Sequence, residues 1–149
     1  DIPAEARRAG VGSQAGHGAL RQPDFSGNAH SAFVGSGDDF PVEPIDDLGI
    51  SGPVILKLDV EGGELAALRG ATATLRQAPA AAVVFEAHIR QAERIGEDPS
   101  VILRWLLDLR PWSFEVLDVP GLVPDPDRPF FAQIENPRPI GYNVLALTL

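Results

Sequence analysis

The chain contains no cysteine and no methionine. Without cysteine there is no disulfide framework and no thiolate metal site, a pattern that fits a cytoplasmic location. Without methionine, and opening on Asp1-Ile2-Pro3, the chain reads as a piece of a longer protein that lacks its upstream sequence. Positive charge is scarce: 12 Lys and Arg stand against 21 Asp and Glu, a net charge of −9. That balance cannot neutralise an extended run of phosphates, so nucleic acid is not an expected partner. An anionic membrane surface is disfavoured for the same reason. No apolar run approaches the roughly 20 residues of a membrane helix, and residues 1–10 do not form a signal peptide. Three motifs are also missing. There is no Gly-x-x-x-x-Gly-Lys and no Gly-x-Gly-x-x-Gly, hence no phosphate loop of either kind. There is no Gly-x-Ser-x-Gly elbow, hence no support for serine hydrolase chemistry.

What is present suits one soluble α/β domain of 149 residues, 44% of them hydrophobic. Residues 54–58 form an apolar run interrupted by Lys57, the pattern of a buried, parallel strand that continues to Val60. Leu65, Leu68, Thr72 and Leu75 follow at helical spacing, with Pro79 just beyond. Residues 81–86 read as a second buried strand. Strand, helix, strand is a right-handed βαβ unit with parallel strands. Residues 91–99 are polar. Ser100 is placed to cap a helix whose buried stripe is Ile102, Trp105, Leu106 and Leu109. Strands are expected at 114–119 and 142–149. They are joined by a proline-rich loop at 120–139, pinned by Phe130 and Phe131, and are expected to run antiparallel. Nearer the start, residues 9–11 and 18–21 suggest a hairpin. Residues 22–39 read as a loop anchored by Phe25 and Phe33. Residues 40–45 read as an edge strand because of Pro41 and Pro44. Asp46-Asp47-Leu48 begins a short turn closed by Gly49 and Gly52. The whole is a mixed sheet with helices on its faces.

The chemistry gathers where the first buried strand ends. Asp59, Glu61 and Glu64 fall within six residues around Gly62-Gly63. Ligands of open α/β sheets bind outside the carboxyl ends of strands, so Asp59 and Glu61 are the leading candidates. Clustered acids raise one another's pKa and can supply a general base; they can also bind a divalent cation through oxygen. Glu64 equally suits the first turn of a helix, where negative charge meets the macrodipole. Gly62 and Gly63 allow close backbone approach or a tight turn. Glu86 and His88 end the neighbouring strand, and His88 can serve as acid, base or ligand. Lys57 either lies on an exposed edge or pairs with an acid such as Asp46 or Glu86. His17 and His30 lie in loops as surface residues. Trp105 reads as core, and Trp112 as core or rim.

The segment Lys57-Leu58-Asp59-Val60-Glu61-Gly62-Gly63-Glu64 resembles the FkbM family of S-adenosylmethionine-dependent methyltransferases. Leu68-Arg69-Gly70-Ala71 and Val84-Phe85-Glu86-Ala87-His88 are similar to further segments of that family. So are Ala9-Gly10-Val11-Gly12, Ser26-Gly27-Asn28, the stretch from Val42 to Leu48 and the closing Gly141-Tyr142-Asn143-Val144-Leu145-Ala146. The resemblance implies a Rossmann-like class I methyltransferase sheet of seven strands, the last antiparallel. It implies that residues 1–149 form a single partial domain, from about the third strand to the last. It also implies methyl transfer from S-adenosylmethionine to a hydroxyl, often on a sugar or natural product. The family's glycine loop and ribose-binding acid belong upstream of Asp1, so this stretch by itself is expected to bind the cofactor poorly. On this reading Asp59 faces the methyl centre, with Ala9 and Val11 near the adenine. Glu61 and His88 orient the acceptor or take its proton, and Glu86 orients His88 or holds substrate. No metal is required, although the acids could bind one. Two alternatives stand beside it: a metal-assisted hydrolase built on Asp59, Glu61, Glu86 and His88, and a non-catalytic interaction domain.

Overall fold

Alternation builds the larger of two sheets. In the segment Ala81–His88, Ala81, Val83, Phe85 and Ala87 are buried while the residues between them are half-buried, the period-2 signature of a strand packed on one face. In this computed structural model, which describes residues 4–22, 32–137 and 141–149, the chain runs as follows. The strands are β1 (Gly10–Val11), β2 (Gly16–Arg21), β3 (Phe33–Glu43), β4 (Val54–Leu58), β5 (Ala81–His88), β6 (Trp112–Val116) and β7 (Gly141–Thr148). Helices α1 (Glu64–Arg69) and α2 (Thr72–Gln77) link β4 to β5, and α3 (Ile89–Ile95) and α4 (Ser100–Leu109) link β5 to β6. Short 3-10 turns span Ile45–Leu48 and Phe130–Gln133.

The larger sheet has the order β4-β5-β7-β6. β4 and β5 are parallel, as the βαβ reading requires. β7 runs antiparallel to both β5 and β6, as the sequence suggests for the closing strands. Val83, Phe85, Val116, Val144 and Ala146 meet Leu65, Leu68, Leu75, Leu103 and Leu106 in one core. Helices do not cover the other face uniformly. There Ile55, Ala82 and Leu147 are adjacent by register, and Ile55 is 81% exposed.

The first part of the chain departs from its sequence reading. β1 and β2 do not form a hairpin; β3 lies between them. Residues 33–39, read as loop, belong to β3, and Phe33 begins that strand. β3 is central rather than an edge, yet Pro41 is tolerated. β1 pairs only with Val42 and Glu43, so at Pro41 the ladder has a described partner, His17, on one side alone. His17 therefore lies in β2, exposed at the surface. Phe25, His30, Pro139 and the Ser26-Gly27-Asn28 segment lie outside the described residues.

The helix after β4 is two helices. Gly70 N–H keeps the helical bond to the Ala66 carbonyl at 3.0 Å, and at Ala71 the pairing tightens to the Leu68 carbonyl at 2.9 Å, which separates the two. Gly70 is pressed against the backbone of Gly12, leaving no room for a side chain. Its carbonyl accepts the Asp46 N–H at 2.7 Å. The Asp46 carboxylate accepts the N–H groups of Ala73 and Thr74 at 3.0 and 2.8 Å, capping α2 from a distant segment. Burial alone would raise Asp46, but those bonds favour its charged form and the net direction is down. Thr74, not Thr72, takes the buried position.

Residues 89–95, within and before the stretch read as polar, form α3. Ser100 does not cap α4. Asp98 does, its Oδ1 accepting both Ser100 N–H and Phe130 N–H at 2.9 Å. That second bond, with buried Phe130, pins the proline-rich loop. Trp112 is core and Trp105 packs half-buried against it. Among the described residues no helix is long and apolar enough to cross a membrane.

Candidate active site at the acidic strand ends

The turn from β4 into α1 is built by two consecutive left-handed residues. Glu61 has φ 53° and Gly62 φ 94°. Glycine adopts this conformation without cost; glutamate does not. Glu64, in the first turn of α1, reaches back under the turn. Its Oε1 accepts the N–H groups of Val60 and Gly62, both at 3.3 Å. Glu64 is buried, and burial raises its pKa against the opposing help of those amides. Its place is structural as well as electrostatic: it closes the turn that presents Asp59 and Glu61.

Register brings the second strand alongside. Leu58 pairs with Phe85, so Asp59 follows next to Glu86. Carboxylate oxygens of Asp59, Glu61 and Glu86 lie within 4.8 Å of one another. Burial, and then the charges of Asp59 and Glu61, raise the pKa of Glu86. Room for Glu86 comes from β7: a side chain at Gly141 would overlap the Glu86 carboxylate. Lys57 points along the half-exposed edge. It pairs with Asp59 at 3.5 Å, not with Asp46, which is engaged at α2, nor with Glu86.

His88 has a defined tautomer. Its Nδ1 accepts the Arg90 N–H at 3.1 Å, capping α3. In the neutral ring the proton is then on Nε2, which can only donate. Gln91 donates from Nε2 to Glu61 Oε2 at 2.6 Å. Arg94 donates from Nη2 to the Glu61 carbonyl. Two cavities flank the turn. One, of about 30 Å³, is lined by Glu64, Glu86, His88, Gln91 and Asp98. The other, of about 210 Å³, is lined by Val11, Phe33, Val60, Glu61, Arg94 and Ile95.

A model of the methyltransferase FkbM domain matches residues 9–112. The chain belongs to the FkbM methyltransferase family. No curated protein and no solved structure matches it. The FkbM span begins just before β1 and includes Asp59, Glu61, Glu86 and His88.

Within this FkbM domain the structure gathers Asp59, Glu61 and Glu86, and sets His88 beside Glu86 on the rim of the smaller cavity. Val11 lines the larger cavity with Glu61, whereas Ala9, one residue before β1, is not among its lining residues. Gln91 and Arg94 contribute to the site without any sequence signal, and Gly141 contributes where the sequence marks only a closing strand segment. The first two lie in a stretch too polar to read as a helix, and the third acts by having no side chain.

Proposed function

We propose that this FkbM-family chain contributes to an S-adenosylmethionine-dependent O-methyltransferase site whose acceptor is a small-molecule hydroxyl, on a sugar or natural product. The observation that carries the reading is the Asp59, Glu61 and Glu86 cluster at adjoining strand ends inside the matched domain. The order β4-β5-β7-β6, with β7 antiparallel, supports a Rossmann-like class I sheet. The donor set suits the cofactor: carboxylates favour a cationic sulfonium, and the cavity beside them has apolar walls at Val11, Val60 and Ile95. When bound, S-adenosylmethionine supplies a methyl group activated for displacement. Asp59 and Val11 would hold it. The acidic surface disfavours nucleic acid and membrane partners, and the lack of cysteine favours the cytoplasm.

The residues divide the work by geometry. Glu86, raised by burial and by its neighbours, takes the hydroxyl proton as general base. His88, its Nδ1 occupied, donates from Nε2 to orient the acceptor oxygen. Asp59 faces the methyl centre, and Glu61 holds the acceptor in line, where positioning supplies much of the rate. The test uses the full encoded protein, labelled S-adenosylmethionine and a panel of hydroxyl compounds. Label transfer is expected from wild type and not from Asp59→Ala. Undiminished turnover by the folded variant refutes the assignment.

One observation favours a second reading. Three carboxylates within 4.8 Å can also hold a divalent cation, which would make a metal-assisted hydrolase. That reading requires a cation retained through gel filtration and hydrolysis without a methyl donor.

A further inference from the structure

Glu61 occupies a backbone conformation that glutamate disfavours, in a cluster of like charges that repels its carboxylate. Two residues of α3 oppose both tendencies. We propose that Gln91 and Arg94 are positioning residues of the methyl-transfer site, together forming a clamp that holds Glu61 among the strand-end acids; this rests on the methyltransferase reading above. They are three residues apart on α3, hence on one face. Gln91 is 8% exposed, and its amide donates to the Glu61 carboxylate at 2.6 Å. A bond to a charged acceptor away from water is among the stronger hydrogen bonds. Arg94 holds the other end of the same residue, donating to its backbone carbonyl. Its guanidinium also lies 3.8 Å over the Phe33 ring, which anchors it on β3. Gly62 leaves the space that Arg94 uses: a Cβ there would stand 2.8 Å from Nη2. Neither clamp residue needs to touch reacting atoms. Both act through Glu61.

The clamp is tested in the full encoded protein by kinetics and by hydrogen exchange. Gln91→Leu lowers kcat about tenfold with the acceptor KM within about twofold, the loss typical of a removed orienting partner. Gln91→Glu sets a second carboxylate against Glu61, and the two stay bonded only while sharing a proton. Its kcat therefore falls at higher pH, where the wild-type rate rises to a plateau as Glu86 ionises. Arg94→Leu speeds amide exchange at Gly62 and Gly63 about tenfold, and Arg94→Lys restores part of the protection. A wild-type pH profile in folded Gln91→Glu overturns the role of Gln91. Unchanged exchange in Arg94→Leu overturns that of Arg94. If wild type transfers no methyl group to any acceptor, the methyltransferase reading fails. Altered exchange in that case shows a clamp that serves the turn alone, and the positioning role falls with it.

Discussion

Glu64 is the most informative single residue to change, because two substitutions separate its hydrogen bonds from its charge. Its Oε1 accepts two amides of the β4–α1 turn at 3.3 Å. Glu64→Ala leaves both without that acceptor. Each such bond contributes about 0.5–1.5 kcal/mol net, and 3.3 Å favours the lower half of that range, so the loss is about 1–2 kcal/mol. Glu64→Gln keeps a carbonyl oxygen in the same place and removes the buried charge. The sign with pH follows from linkage. Burial raises the folded-state pKa above the ordinary 4.5, so the folded chain binds this proton more tightly than the unfolded one. The associated stability is complete below the ordinary glutamate range and is lost as pH rises through the folded value. Glu64→Gln does not titrate, so its stability relative to wild type improves as pH rises above the ordinary 4.5 and levels off once Glu64 is ionised in the folded chain. Urea unfolding of the three proteins across that rise measures the difference, with slopes checked for constancy. If Glu64→Gln is the less stable protein and its deficit widens with pH, the charged carboxylate is held favourably and the burial argument is wrong.

Two other substitutions probe the scaffold. Gly141→Ala forces the flexible Glu86 side chain away from Asp59 and Glu61. Released from burial and from those charges, Glu86 titrates lower. The rising limb of the pH–rate profile should move toward acid, with kcat reduced about tenfold; an unmoved limb would remove Glu86 as the base. Asp46→Ala removes the distant cap of α2 and should cost about 1–2 kcal/mol near neutral pH. Folded Asp46 lies below its ordinary 3.8, so its contribution is present above that value and lost as pH falls through the lower, folded one. Thermal unfolding of wild type and variant should therefore converge in acid. A gap independent of pH would show that the lost bonds do not depend on the charge of Asp46.

Residue order alone carries β4, β5 and β7, the parallel βαβ unit and the antiparallel close. Those features are local: period-2 alternation, apolar runs and the residues that punctuate them. The segment from Lys57 to Glu64 also carries the family, since strand, acids and paired glycines are contiguous there. Much of what turns those acids into an arrangement is non-local. Asp46 splits one expected helix by capping Ala73 and Thr74 from 27 and 28 residues away. β3 enters between β1 and β2 by pairing with both, a choice that no alternation within 9–21 announces. Gln91 and Arg94 reach Glu61 across 30 and 33 residues, from a helix whose polar sequence conceals it. Glu86 is raised by burial and by the charges brought beside it in the sheet, while the turn at Glu61 is closed by nearby Glu64 and the His88 tautomer by nearby Arg90. Their types can be read from the sequence. Their protonation, orientation and company arise only when the chain has folded, because charge and hydrogen bonding act through space rather than along the chain.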